Sequence, residues 1–229
     1  MMDISGLQKT TLLDYPGQVA CTVFLAGCNL RCPFCHNASL VLENPLPQMT
    51  ESEFFAFLKK RRGILDGVCI TGGEPTLRKE LPEFIGKIRE LGFRVKLDTN
   101  GTNPDMLERL LKEGLLDYVA MDIKNSPERY SVTCGGIDVL DKVKHSAALL
   151  MESGTDYEFR TTCVHPLHDE TAMAEIGKWL AGAKGYYLQN FVDSGSLVGT
   201  GVTGLDSATM EALRNAVLPY IQNTYLRGL

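Results

Sequence analysis

An α/β fold built around a parallel sheet is what these 229 residues predict. Three observations lead there. Short apolar runs of strand character are followed by longer stretches of helical periodicity, six times in succession. Glycine, asparagine and aspartate cluster at the junctions, where turns are needed. No internal repeat or linker-like stretch interrupts the alternation. Residues 1–229 therefore read as one domain: an N-terminal segment (1–17), a core (18–195) and a C-terminal loop and helix (196–229). Such units imply parallel strands joined by right-handed crossovers. Six are too few for a full eight-unit barrel, which leaves an open partial barrel or a doubly wound sheet.

The elements follow in order. Residues 7–17 end in the turn signal Pro16-Gly17, and the apolar run from Ala20 to Ala26 is the first strand of the series. After a cysteine-rich loop, Thr50-Glu51-Ser52-Glu53 is a capping box, and its helix carries Phe54, Phe55, Phe57 and Leu58 before Gly63. Val68-Cys69-Ile70 is a short buried strand. Leu81, Phe84, Ile85, Ile88 and Leu91 recur at helical spacing, and Gly92 stops that helix. Phe93 to Leu97 is a strand ending in Asp98-Thr99-Asn100-Gly101. Pro104, behind Asn103, opens a helix with Leu107, Leu110 and Leu111. Tyr118 to Met121 is a strand ending in Asp122-Ile123-Lys124, followed by a helix from about Val139 to Ser153. Tyr157 to Val164 and Tyr186 to Val192 are the last strands, with a helix through Met173, Ile176, Trp179 and Leu180 between them. Asp206 caps a final helix through Met210, Leu213, Val217 and Tyr220.

Composition narrows the function classes. A formal net charge of −5 argues against a dedicated nucleic-acid surface, and the longest basic run, Lys59-Lys60-Arg61-Arg62, suits the end of a helix. The N-terminus lacks the pattern of a signal peptide, and no apolar run approaches the roughly 20 residues that span a bilayer. A cytoplasmic, reduced protein without a membrane partner is the expectation.

The chemistry gathers at Gly27-Cys28-Asn29-Leu30-Arg31-Cys32-Pro33-Phe34-Cys35-His36-Asn37. Thiolates this close in sequence can converge on one soft metal centre, as in iron–sulfur ligation. A cubane has four irons, so three thiolates leave one iron open to a small molecule. A structural zinc site using Cys28, Cys32, Cys35 and His36 is an alternative, but such sites usually draw two ligands from a second place in the chain. Disulfides fit less well, because seven cysteines is an odd count in a chain without a secretory signal.

This motif, with Phe34 before its last cysteine, resembles the radical S-adenosylmethionine (SAM) superfamily, and its wording is similar to the activating enzymes of glycyl radical enzymes. The resemblance covers most of residues 7–195. It selects the partial (β/α)6 TIM-type barrel over the doubly wound sheet. It implies a [4Fe–4S] cluster on Cys28, Cys32 and Cys35, the catalytic and metal-binding residues, with SAM chelated at the open iron and reductively cleaved to methionine and a 5′-deoxyadenosyl radical. It also implies an oxygen-sensitive, anaerobic enzyme.

The remaining polar groups lie near the C-terminal ends of the strands, where α/β barrels build active sites. Gly72-Gly73-Glu74-Pro75 reads either as a plain turn or as a place where backbone approaches a ligand closely. The resemblance implies that Gly72 and Gly73 bind the amino group of SAM, with Glu74 as a negative partner and Asp98 helping. Asn100 belongs to the same rim. Lys124 is placed for the SAM carboxylate, and Asp122 shares its face, as an ion pair or a ligand-ordering acid. Arg160 sits mid-strand, where it must pair with a carboxylate such as Glu158 or Asp122, or face the ligand. Gln189 closes the rim, and Phe34 and Phe191 are aromatics for the adenine, although isolated aromatics are usually core. Some relatives hold a monovalent cation near the Asp98-Thr99 and Asp122 equivalents. Cys21, Cys69, Cys134 and Cys163 are scattered singly, and His145, His165 and His168 lack partners at ligand spacing.

Within the family, Lys9-Thr10-Thr11-Leu12-Leu13-Asp14-Tyr15-Pro16-Gly17 with Cys35-His36-Asn37 is most similar to activators of anaerobic ribonucleotide reductase, with the pyruvate formate-lyase activator as neighbour. The implied partners are a glycyl radical enzyme, whose glycine loop Asp14 and Asn37 would touch, and a flavodoxin- or ferredoxin-type electron donor. Ala38 to Met49 is too short for the inserted ferredoxin-like domain of some activases. A stand-alone radical SAM enzyme acting on a small molecule, and a metal-binding scaffold, are the competing readings.

Overall fold

A computed structural model describes residues 1–43, 45–193 and 195–229. Eight strands form one sheet in sequence order: β1 (Gly6–Thr11), β2 (Ala20–Leu25), β3 (Gly67–Gly72), β4 (Arg94–Thr99), β5 (Tyr118–Asp122), β6 (Asp156–Cys163), β7 (Tyr186–Asn190) and β8 (Thr224–Arg227). All neighbours from β2 to β8 pair in parallel, and β1 runs antiparallel to β2. A doubly wound sheet reverses its strand order, and this one does not. No pairing joins β1 to β8 among the described residues, so the barrel is unclosed.

The helices are α1 (Ala38–Leu42), α2 (Glu51–Lys59), α3 (Leu81–Glu90), α4 (Pro104–Lys112), α5 (Tyr130–Thr133), α6 (Leu140–Glu152), α7 (Glu170–Trp179) and α8 (Ser207–Val217). Their starts follow local chemistry. Thr50 and Glu53 form the expected capping box, and Asn103, Asp169 and Asp206 each accept a first-turn N–H.

The two faces of the strands differ because side chains alternate along a strand. One set, including Val23, Leu25, Val68, Ile70, Val95, Leu97, Val119 and Phe159, is buried in a core shared with Phe54, Phe84, Ile85, Leu107, Val143 and Ile176 of the helices. The other set faces the barrel interior and is polar: Thr22, Thr71, Lys96, Asp98, Asp122, Glu158 and Arg160 hydrogen-bond one another or neighbouring segments across it.

Two strands lie outside the predicted series. β1 occupies part of the N-terminal segment, and its middle residues Gln8, Lys9 and Thr10 are exposed, so the apolar alternation that marks a half-buried strand is missing. β8 extends the C-terminal loop and helix. It is only four residues long, and Arg227 on it forms a two-pronged ion pair with the buried Glu158, 2.9 Å at each contact. Arg227 also lies 3.6 Å over the Tyr187 ring, so β8 covers the flank that the unclosed sheet would leave open.

Candidate active site

A cleft of about 180 Å³ opens at the C-terminal ends of β2 to β6. Cys28, Cys32 and Cys35 form one wall, and Asp98, Asn100, Asp122, Lys124 and Arg160 line it from the facing strands. Phe34, Asn37, Gly72 and Gly73 line it too.

The cysteine loop is held from several sides. Gly27 N donates to Leu40 O at 2.7 Å, and Cys35 N to Cys32 O at 3.1 Å. Cys28 Sγ accepts from Leu30 N at 3.4 Å and from Asn100 Nδ2 at 3.7 Å. Burial pushes the Cys28 and Cys35 thiols up. Cys32 behaves oppositely: a hydrogen bond with the Cys134 thiol, helped by the Lys124 charge, outweighs burial and brings it down to about 7. All three are free thiols.

Gly72 and Gly73 line the cleft and also have a packing role. A Cβ on Gly73 would stand 2.0 Å from the Gly27 oxygen, and one on Gly72 would stand 2.3 Å from the Leu25 oxygen. Missing side chains here let the β3 loop pack against the cysteine loop, and Asn37 Nδ2 clamps the contact by donating to Gly72 O at 2.9 Å.

Glu74 corrects the sequence expectation. Its carboxylate is 1% exposed and lies outside the cleft lining. It accepts from Thr76 N at 3.1 Å, Thr76 Oγ1 at 2.5 Å, Thr99 Oγ1 at 2.7 Å and Asn100 N at 2.6 Å. With its oxygens consumed by these donors, it joins the β3 and β4 loops instead of offering a free negative partner to a ligand. Burial raises its carboxyl even so.

The facing wall is an ion-pair ladder. Lys96 pairs with Asp98. Arg160 reaches Asp98 through Nη1 at 3.2 Å and Asp122 through Nε at 2.9 Å, and Lys124 pairs with Asp122 at 3.0 Å. Burial works to raise the Asp122 carboxyl, yet the Arg160 and Lys124 charges hold it at about 2; Asp98 is lowered by Arg160 and Lys96 against the same effect. Three cations against two carboxylates leave a surplus positive charge at the cleft, which suits an anionic group of a ligand. His168, which has no partner at ligand spacing in the sequence, fixes the base of Lys124: its Nε2 donates to Lys124 O at 2.9 Å.

The other expected residues are placed as follows. Phe34 is 3% exposed and meets His168 edge-on, with ring centroids 6.2 Å apart. Phe191 is also buried and stacks on His36 at 5.1 Å, so it reaches the cleft only through that histidine. Gln189 sits at the C-terminal end of β7, where it pairs in register with Arg227, and lies outside the cleft lining. Asp14 accepts from Thr22 Oγ1 inside the barrel, in the loop that leads from β1 into the N-terminal end of β2, at the end of the barrel away from the cleft, which corrects its expected place beside a partner loop. Residues not singled out from sequence are Lys96 and Thr71. Lys96 sits two positions before Asp98 on the same strand face, and that spacing was the available signal.

The superfamily model for Radical SAM proteins matches residues 22–179. The chain belongs to the radical SAM superfamily. It is 36% identical over 195 residues to a protein of Methanocaldococcus jannaschii named as a glycyl-radical enzyme activating enzyme, covering 82% of this chain and 79% of that protein. It is also 36% identical over 116 residues to a protein of Pyrococcus abyssi named as a GTP 3′,8-cyclase, but only 51% of this chain and 38% of that protein are covered. In fold it is similar to Streptococcus suis SuiB bound to S-adenosylmethionine, with a TM-score of 0.68 and 16% identity over 90% of this chain and 52% of that one. This radical SAM protein is therefore an enzyme, and its superfamily implies SAM and a [4Fe–4S] cluster as cofactors.

The donor set fits that cluster. Three thiols stand on one short loop beside the cleft, as iron–sulfur ligation requires. Among the described residues no three His, Cys, Asp or Glu side chains are grouped to hold a single metal ion. No helix among the described residues is long and apolar enough to cross a membrane.

Proposed function

We propose that this protein is a radical SAM activase that generates a glycyl radical on a partner enzyme, most closely an anaerobic ribonucleotide reductase. The observation that carries this reading is the similarity along 79% of the length of a protein named as a glycyl-radical enzyme activating enzyme. Cys28, Cys32 and Cys35 would hold the cluster. A [4Fe–4S] cluster held there would supply the electron for reductive cleavage of SAM and so the radical chemistry that removes a hydrogen atom from a glycine Cα.

The chain's own residues bind and orient. Lys124 and Arg160 provide the surplus positive charge for the SAM carboxylate, while Asp98 and Asp122 keep both cations in place. Backbone at Gly72 and Gly73, held by Asn37, forms the wall for the methionyl amine. Phe34 bounds the side of the cysteine loop. A monovalent cation would use Asp98 and Asp122, and it would share them with Arg160, Lys96 and Lys124. The glycine loop of the partner would enter the cleft near Asn37. The electron donor would be a flavodoxin- or ferredoxin-type protein, and the setting an anaerobic cytoplasm.

Two alternatives remain distinct. A pyruvate formate-lyase activator would use the same site on a different partner. A stand-alone enzyme acting on a small molecule is favoured by the similarity to the protein named as a GTP 3′,8-cyclase, although that covers only half of this chain. The deciding experiment incubates reduced, cluster-loaded protein with SAM and each candidate reductase or lyase under anaerobic conditions. A glycyl radical doublet in the EPR spectrum of one partner is expected. Its absence with all partners, alongside 5′-deoxyadenosine formed in step with a modified metabolite, would reverse the assignment.

A further inference from the structure

Of the three cations in the ion-pair ladder, Lys96 lies outside the cleft lining while Arg160 and Lys124 are part of it. Its side chain is 2% exposed, against 14% for Arg160 and 17% for Lys124. A lysine is almost never buried so deeply unless a carboxylate pairs with it. Here that carboxylate is Asp98, two residues along β4 on the same face, and Asp98 does line the cleft. Another carboxylate inside the barrel, Glu158, is held by both prongs of Arg227 at 2.9 Å and by the Tyr118 hydroxyl at 3.1 Å. The charge of Lys96 is therefore spent on Asp98.

Asp98 is fully engaged in turn. One oxygen takes the Lys96 ammonium and the Cys69 thiol, the latter at 3.8 Å. The other accepts from Thr71 Oγ1 and from Arg160 Nη1, each at 3.2 Å. These four partners fill the lone-pair sites of a carboxylate. Without Lys96, Arg160 and Lys124 would face Asp98 and Asp122 alone, and the four charges would cancel. With it, one positive charge is left over.

We propose that Lys96 is a positioning residue that acts through Asp98. It neutralises that carboxylate from behind the cleft wall, so that Arg160 and Lys124 keep a net positive charge for the carboxylate of SAM. The proposal rests on the reading of the ligand as SAM given above. No contact between Lys96 and the ligand is needed, because water screens a buried charge poorly and its field reaches across the wall.

The test compares wild type with Lys96→Met, which removes the surplus charge, and with the double variant Lys96→Met and Asp98→Asn, which restores it. Each is loaded with its cluster under anaerobic conditions, and SAM binding is measured by calorimetry. Lys96→Met is expected to bind SAM about tenfold more weakly, the order of effect of one charge acting through protein over roughly 10 Å. The double variant should return to within about threefold of wild type, because one carboxylate leaves with one cation. In the cleavage assay Lys96→Met should raise KM for SAM and leave kcat within about twofold, since Lys96 touches no reacting group. A Lys96→Met protein that binds SAM as wild type does overturns the proposal, as does a lowered kcat at unchanged KM. So does a double variant that binds as weakly as the single one. If Lys96→Met does not fold, the double variant decides, because it leaves no buried carboxylate short of a cation. Binding within about threefold of wild type then supports the proposal, and a loss of about tenfold overturns it. Cluster-loaded wild type that does not bind SAM would instead overturn the reading of the ligand.

Discussion

The backbone N–H of Asn100 donates to the carboxylate of Glu74 at 2.6 Å, across two strand-end loops that are 26 residues apart in sequence. This buried contact joins the wall beside the cysteine loop to the wall beside the ion-pair ladder. Replacing Glu74 with Ala leaves the N–H groups of Asn100 and Thr76 and the Thr99 hydroxyl without their acceptor. The expected loss of stability is about 2–4 kcal/mol, from the cost of leaving buried donors unsatisfied. Denaturant unfolding would measure it, and Glu74→Gln, which keeps one acceptor oxygen, should lose less.

Gly73→Ala tests the close approach of the same loop. A Cβ 2.0 Å from the Gly27 oxygen must push backbone apart, because no flexible side chain is there to yield. A loss of about 1–3 kcal/mol is expected, as for overpacking elsewhere. The displaced loop carries Gly72 O, the acceptor of Asn37, so SAM binding measured by calorimetry should weaken at least as clearly as the fold does.

The ion-pair ladder predicts an acid transition. Asp122 titrates at about 2 in the folded protein against 3.8 in the unfolded chain, because Arg160 and Lys124 outweigh burial. A depressed folded value means that its contribution is fully present above about pH 4 and is lost as the pH falls toward 2. Unfolding free energy should therefore drop through that window. Arg160→Met should be less stable at neutral pH, where it leaves Asp98 and Asp122 short of a partner, and should show a shallower acid loss. An unchanged acid slope in that variant would show that the ladder does not set it.

Cys32→Ala is expected to abolish SAM cleavage, measured as 5′-deoxyadenosine, while far-UV circular dichroism shows the fold retained. Cys32 sits on a strand-end loop and supplies no ladder hydrogen bond to the sheet, so its loss removes chemistry more than architecture. Cleavage that persists in this variant would remove Cys32 from the cluster.

Legibility varied with distance in sequence. The capping box at Thr50 and Glu53, the N1 proline at Pro104 and the cysteine spacing are all decided by residues within a turn or two of one another, and each was readable directly. β1 was not, because Gln8, Lys9 and Thr10 face outward on an edge and leave no apolar alternation. Gln189 and Glu74 both sit near strand ends. Strand-end position does not say which way a side chain is engaged, and Glu74 found enough donors in neighbouring loops to be buried among them.

By itself the sequence determined the alternating strand and helix units, the rim on which polar residues gather, and the three-thiol loop, since each follows from local periodicity or spacing. Only the tertiary structure decided which charges meet. Arg160 and Asp98 are 62 residues apart on strands separated by β5, and the Cys134 carbonyl meets the Arg31 N–H from another unit of the barrel. A strand's two-residue period sets the face that a side chain takes, but the partner it finds there depends on how the barrel curves and brings distant strands together.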